Sequence, residues 1–211
     1  MRITGIEELT KSRSKVYIDG EFAFVLYKGE LRRFHMDVGE ELSEEDHDVI
    51  LGEILPKRAK VRAMNLLKKR EYTTAGLRGK LEQGMYPEGV IEEALEYVAS
   101  FHYTDDLRYA TQYIICHGEN RSRRRIEQDL QAKGIDRETF RAAWDAWAQQ
   151  GGVGDESGMI RKLLTKRRYD PDTADYAQTR KQIAFLINKG FEPESIRRAL
   201  KEYGRDVEEL F

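Results

Sequence analysis

The chain has 211 residues, with 36 Lys and Arg against 38 Asp and Glu, which gives a net charge of −2. No apolar run approaches the roughly 20 residues needed to span a bilayer, and Glu7 and Glu8 stand where a secretory signal needs apolar residues. A single cysteine, Cys116, excludes an internal disulfide framework and fits a reducing compartment. The composition therefore indicates a cytoplasmic, helix-rich protein with a large charged surface.

The charge is unevenly distributed along the chain. Residues 1–56, here called the head, carry 7 basic and 13 acidic residues and so a net charge of −6. Residues 57–104 carry 9 basic and 6 acidic residues, a net charge of +3, whereas residues 105–150 and 151–211 are close to neutral. An acidic head followed by a mildly basic body indicates units with different surfaces.

The clearest β pattern in the head covers residues 15–26. Asp19-Gly20 separates two runs of β-branched and aromatic residues, which is typical of a two-residue hairpin turn. Phe22 and Phe24 alternate with smaller residues, so we expect both to lie on one buried face of the hairpin.

The remainder of the head predicts one more strand and one helix. Residues 3–9 are the candidate third strand, because a lone hairpin is rarely stable. Ser43 followed by the acidic residues 44–46 is typical of a helix start. Pro56 is expected to end that helix.

The body that follows repeats itself. Apolar residues fall at offsets 0, 5, 10 and 14 in three windows. These windows begin at Leu81, Leu130 and Leu186. Gly134 and Gly190 stand where a helix would end in the left-handed conformation, and Met85 takes the matching place in the first window. A further helix is expected before each window, so the pattern indicates three three-helix units.

The predicted fold class is mainly α, with a tandem array of helix-turn-helix-like repeats and a small N-terminal β-hairpin and helix extension. We expect the extension over 1–56 and the three-helix repeats over 57–104, 105–150 and 151–211. The glycine-rich run at 151–154 separates the last two repeats and is a candidate hinge.

Residue types that carry catalysis or bind metals form no recognisable motif in the sequence. The histidines lack metal-binding spacing, and Cys116-His117 are neighbours that would point about 100° apart on a helix. Phosphate-binding glycine motifs are also absent from the sequence. Asp105-Asp106 is interpreted as the start of a helix. We therefore expect no enzymatic activity, no metal and no cofactor.

Two clusters of basic residues are the candidate binding sites. The first-repeat cluster comprises Lys57, Arg58, Lys60 and Arg62. The arginine cluster comprises Arg121, Arg123, Arg124 and Arg125. Four arginines near a helix start oppose the helix dipole and repel one another, which a merely solvated surface explains poorly. Because guanidinium groups suit phosphates and carboxylates, the arginine cluster predicts an anionic partner.

Several segments resemble the RecX family of bacterial recombination regulators. Residues 101–110 are similar to that family's aromatic-Asp-Asp-x-Arg-aromatic-Ala segment, and residues 124–126 with 130–135 resemble its Arg-Ile…Leu-x-x-Lys-Gly-Ile stretch. The family's opening pattern is matched by Ala63, Leu66, Leu67, Arg70, Leu77, Lys80 and Leu81. The resemblance covers 57–204 and extends to the head, which looks like an extension seen in some members.

The resemblance implies a non-enzymatic modulator of the RecA recombinase. Members of the family bind the RecA nucleoprotein filament along its helical groove, inhibit its ATPase and strand exchange, and destabilise or cap the filament. On this hypothesis the arginine cluster is the leading contact, the first-repeat cluster is the second, and the protein acts as a monomer without a cofactor.

Two alternatives remain open at this stage. Tandem three-helix units also resemble helix-turn-helix arrays, so the chain could be a stand-alone nucleic-acid-binding module, whose affinity would fall steeply with salt. It could also be a scaffold for another protein. The opposite charges of head and body favour a protein–DNA filament, which offers both signs of charge, over naked DNA.

Overall fold

The computed structural model describes residues 1–152, 154–204 and 207. These residues belong to two compact units, Met1–Asp105 and Asp106–Phe211. The predicted fold class is confirmed, because three-helix groups follow a small antiparallel sheet. The finer boundaries proposed between repeats stay a prediction.

The first unit begins with an antiparallel sheet whose strands lie in chain order. They are β1 (Ile3–Thr10), β2 (Arg13–Ile18) and β3 (Glu21–Tyr27). Asp19 and Gly20 connect β2 to β3 with φ angles of 49° and 91°, which are those of the tight turn that the sequence predicts. The candidate third strand is also confirmed, since β1 pairs with β2.

The prediction that Phe22 and Phe24 share a buried face is wrong. Phe24 pairs with Val16 and Phe22 pairs with Tyr17, so Ala23 is an extra residue in β3. Such a bulge changes the face on which the next side chain lies. Phe24 is consequently 1% exposed, whereas Phe22 is 44% exposed and packs edge-on to the ring of Tyr17.

The helices of the first unit follow the sheet. They are α1 (Lys28–Arg33), α2 (Glu44–Val49), α3 (Leu55–Leu67), α4 (Thr74–Glu82) and α5 (Glu88–Ser100). Ser43 caps α2 as predicted, because its hydroxyl accepts a hydrogen bond from the Asp46 backbone N–H at 3.0 Å.

The prediction that Pro56 ends this helix is wrong. A π-helical segment, Ile50–Ile54, links α2 directly to α3, and Pro56 is the second residue of α3. Proline has no N–H, and its ring conflicts with the carbonyl four residues earlier in a regular α-helix. The wider π turn lies where that conflict would arise, so the helix continues from the head into the first repeat.

The head and the first repeat share one hydrophobic core. Strand residues Ile3, Phe24 and Leu26 belong to the same buried cluster as Leu77 and Leu81 of α4. Helices α3 and α5 contribute further apolar residues to that cluster. The head is therefore part of the packing of the first unit.

The second unit consists of two three-helix groups. The first contains α6 (Asp106–His117), α7 (Arg123–Gln131) and α8 (Arg137–Gln149). The second contains α9 (Glu156–Lys166), α10 (Tyr176–Asn188) and α11 (Pro193–Glu202). Each group has its own cluster of buried apolar residues, as expected for repeats with small individual cores.

One backbone hydrogen bond explains the repeated sequence window. The residue at offset 5 donates its N–H to the carbonyl at offset 0 in all three repeats, at distances of 3.5, 3.0 and 3.2 Å. The residue at offset 4 has a left-handed conformation in each repeat, with φ of 60° at Met85, 84° at Gly134 and 86° at Gly190. This is a Schellman-type helix end, in which the residues at offsets 0 and 5 also make an apolar contact.

The candidate hinge at 151–154 contains a glycine under steric constraint. A Cβ atom added to Gly152 would overlap the ring of Trp147, which is 7% exposed. Val153 lies outside the residues that the structure describes. Hinge motion at this run stays a prediction, but Gly152 is required here for close packing.

Candidate functional site at the start of helix α7

A buried serine fixes the start of α7. The Ser122 hydroxyl accepts a hydrogen bond from the Arg125 N–H at 3.3 Å and donates one to the Lys189 carbonyl, after α10, at 3.0 Å. Ser122 is 1% exposed. Because one hydroxyl caps α7 and satisfies the end of α10, the second and third repeats hold the arginine cluster in a defined place.

Two members of the arginine cluster bind the same carboxylate. Arg121 Nη1 donates to Asp129 Oδ2 at 2.6 Å and to the Tyr113 hydroxyl at 2.9 Å. Arg125 Nε lies 3.1 Å from Asp129 Oδ1. Asp129 thus offsets the repulsion that the sequence indicates, and Arg121 and Arg125 are paired within the fold although their side chains remain 40% and 55% exposed.

The other two arginines are directed toward solvent and aromatic rings. The guanidinium carbon of Arg123 lies 5.1 Å from the ring centroid of Trp144 and 5.8 Å from that of Phe140. The Arg124 side chain is exposed and has neither an ion pair nor a hydrogen bond among the residues described. Arg124 therefore has all its guanidinium donors available to a partner.

These two arginines line a cleft of about 950 Å³. Arg141 from α8 and Arg198 from α11 line it as well. The sequence does not point to either residue, because only tertiary packing brings them to α7. Acidic residues also line it, and they are Glu127, Asp155, Glu156 and Glu192. Asp155 caps α9, accepting from the Gly158 N–H at 2.8 Å. The cleft thus presents both signs of charge beside an aromatic wall.

The first-repeat cluster is more heavily engaged within the fold. Arg58 donates to the Val25 carbonyl at 3.0 Å and forms an ion pair with Glu30. Lys60 lies 2.7 Å from the Glu93 carboxylate. These two side chains therefore have structural partners in the first unit.

The other two members of the first-repeat cluster differ from each other. Lys57 is exposed, and the described part of the chain offers it no ion pair or hydrogen bond. Arg62 is half-buried and lines a cavity beside Tyr86. The structure therefore does not bring the four residues together as one free basic surface.

Among the described residues, no His, Cys, Asp and Glu side chains form a group of three or more suited to holding a metal ion. Within the same residues, every helix is too short or too polar to cross a bilayer.

The site contains a titratable group whose pKa is displaced. Burial lowers the pKa of His117 from its ordinary value of 6.5, the charges of Arg121 and Lys133 act in the same direction, and Asp129 opposes them. The folded state therefore favours neutral His117. We expect the contribution of His117 to stability to be fully present above pH 6.5 and to decline as the pH falls from there toward the lowered pKa, because the unfolded chain then takes up the proton first.

Thermal unfolding midpoints between pH 7.5 and 5.5 would measure this effect. The His117→Asn variant should lose part of the pH dependence. An unchanged slope in that variant would contradict the assignment to His117.

Family models match most of the helical body. They describe the first, second and third three-helix domains of RecX and match residues 59–97, 105–143 and 155–200, together more than half of the chain.

Curated relatives named "Regulatory protein RecX" are similar over most of their length. The protein from Caldanaerobacter subterraneus subsp. tengcongensis is 28% identical over 95% of this chain and 98% of its own. The protein from Neisseria meningitidis serogroup C is 30% identical over 69% of this chain and 90% of its own. The first of these similarities extends well into the head.

Two solved structures share the fold. A crystal structure of regulatory protein RecX has a TM-score of 0.62 at 24% identity and covers 95% of this chain and 98% of its own. The structure of RecX from Lactobacillus salivarius has a TM-score of 0.60 at 20% identity and covers 72% of this chain and 97% of its own. With three matched domains in order and relatives covered almost end to end, this chain belongs to the RecX family of regulatory proteins.

Proposed function

We propose that the protein is a non-enzymatic regulator that binds the RecA recombinase or its nucleoprotein filament and inhibits ATP hydrolysis and strand exchange. It would do so by lying in the filament groove or by capping the filament, in the cytoplasm and without a cofactor. The observation that carries the proposal is the exposed pair Arg123 and Arg124, which lines a cleft beside the buried Ser122 cap in a chain of this family.

The chemistry of the cleft fits a partner that carries both signs of charge. Unpaired guanidinium groups recognise phosphates and carboxylates. The acidic residues of the same cleft would pair with basic groups of the partner. They would disfavour naked DNA, because their carboxylates and the DNA phosphates carry the same sign of charge. A filament of protein on DNA supplies both kinds of group.

ATP hydrolysis by RecA on single-stranded DNA tests the proposal directly. We expect the wild-type protein to slow hydrolysis, and the double variant Arg123→Gln/Arg124→Gln to need about tenfold more protein for the same inhibition. The matched control is Arg180→Gln/Lys181→Gln, which removes the same charge from an exposed part of α10 in the same unit.

Two results would count against this proposal. Absence of inhibition by excess wild-type protein would reject the function, and equal inhibition by both double variants would remove Arg123 and Arg124 from the site. Variants of Arg121 and Arg125 are expected to weaken inhibition too, but with a lower unfolding midpoint, because they also lose their pairing with Asp129.

The alternative function makes a different prediction about salt. A stand-alone nucleic-acid-binding module would bind single-stranded DNA without RecA, with an affinity that falls steeply with salt concentration. Inhibition of RecA that persists at about 150 mM salt, where direct DNA binding has been lost, would favour the regulator.

A further inference from the structure

A second basic site lies in the first unit. A cavity of about 300 Å³ opens between β2, β3, α3 and the turn after α4. Its charged lining residues are all basic, and they are Arg13, Arg58, Arg62 and Lys69. Arg58 is paired with Glu30, which does not line the cavity. The cavity therefore concentrates positive charge that the protein itself neutralises only in part.

Arg62, which lines this cavity, has an unsatisfied donor. Its Nε is buried and has no hydrogen-bond partner within the described chain. Arg13 and Lys69 likewise have no side-chain ion pair among the described residues. Because a buried donor without an acceptor is unfavourable, an acceptor supplied from outside the protein would stabilise this arrangement.

Two tyrosines complete the lining. Tyr27 and Tyr86 lie at the cavity, and the guanidinium carbon of Arg58 lies 4.6 Å from the ring centroid of Tyr27. Burial raises the pKa of Tyr86, and the positive charges of Arg58, Arg62 and Arg13 oppose that rise. The Tyr86 hydroxyl is thus a neutral donor surrounded by cations.

We propose that this cavity binds a phosphate group, with Arg13, Arg62 and Lys69 as its charged ligands. A guanidinium offers several N–H donors in a planar fork that matches phosphate oxygens. The volume is at the lower end of ordinary ligand pockets, which suits inorganic phosphate or one phosphate of a nucleotide or nucleic-acid backbone. This site is separate from the arginine cluster, and Arg58 and Arg62 of the first-repeat cluster line it. Its binding of phosphate does not require RecA.

Thermal unfolding and calorimetric titration test the site with inorganic phosphate as the first probe. At constant ionic strength set with chloride, phosphate should raise the unfolding midpoint of the wild-type chain in a saturable way. Arg62→Gln and Lys69→Gln should each weaken phosphate binding about tenfold or more. Lys68→Gln is the matched control, since it removes the same charge from the neighbouring exposed position that does not line the cavity.

Two further probes identify the source of the phosphate. A nucleoside 5′-monophosphate and a short single-stranded oligonucleotide are titrated into the same variants. The site is supported if a probe binds the wild-type chain and its binding is weakened by Arg62→Gln and Lys69→Gln but not by Lys68→Gln. The probe that binds most tightly then identifies the class of molecule that supplies the phosphate. Absence of saturable binding by all three probes, or equal binding by all variants, would overturn the proposal.

Discussion

Replacing Gly190 by alanine should lower the free energy of unfolding by about 2–3 kcal/mol. Gly190 has a φ of 86°, and a Cβ atom there would lie 2.8 Å from the Ser122 hydroxyl and 3.3 Å from the Arg125 backbone nitrogen. The substitution therefore strains the backbone and also disturbs the cap that fixes α7. Denaturation followed by tryptophan fluorescence is the measurement, because Trp144 and Trp147 both lie in the second unit.

Gly204→Ala is the matched control for this experiment. Gly204 follows α11 with a φ of 93°, but nothing lies within 4 Å of an added Cβ atom. Both variants restrict the unfolded chain to the same degree, so the difference between them isolates the crowding against Ser122. Equal destabilisation would show that the backbone conformation alone is responsible. The Gly190 variant should also inhibit RecA less and bind phosphate in the first unit normally.

Replacing Arg58 by methionine should destabilise the first unit by about 2–3 kcal/mol. The Arg58 side chain joins α3 to the Val25 carbonyl and to the Glu30 carboxylate. The side chains of Arg58 and Glu30 are only 18% and 22% exposed. The variant would remove the Arg58 donor from the Val25 carbonyl and would leave the Glu30 carboxylate with the Tyr27 backbone N–H but without its cationic partner. Hydrogen exchange of the β3 amides would measure the loss, because tryptophan fluorescence reports on the other unit.

Two controls separate pairing from packing in this case. Lys57→Met changes the neighbouring exposed residue and should alter stability by less than about 0.5 kcal/mol. The double variant Arg58→Met/Glu30→Gln should recover part of the loss, because the unpaired carboxylate is removed with its partner. A double variant as unstable as the sum of the two single variants would argue against a direct interaction.

The fold was predictable where local chemistry decides it. The Asp19-Gly20 turn, the Ser43 cap and the repeated window all depend on residues close in sequence, and the window reflects one hydrogen bond between offsets 0 and 5. The predictions for Pro56 and Phe22 are wrong because a π turn and a β-bulge alter the local period without a clear sequence signal.

The candidate site was predictable in its residue types but not in its arrangement. The density of arginines indicated an anionic partner, and the four-residue spacing of Arg125 and Asp129 could have indicated their pairing. The positions of Arg141 and Arg198 at the same cleft depend on how helices far apart in sequence pack. Periodicity carries no information on that packing, so the cleft emerged only from the structure.

The core shared by the head and the first repeat constrains how this architecture can evolve. Because Ile3, Phe24 and Leu26 are buried with Leu77 and Leu81, loss of the head would uncover apolar side chains on the first repeat. Such a loss would need polar substitutions in the first repeat at the same time. Transfer of the head onto another member would need the reverse changes, so gain or loss of the head should be accompanied by substitutions in the first repeat.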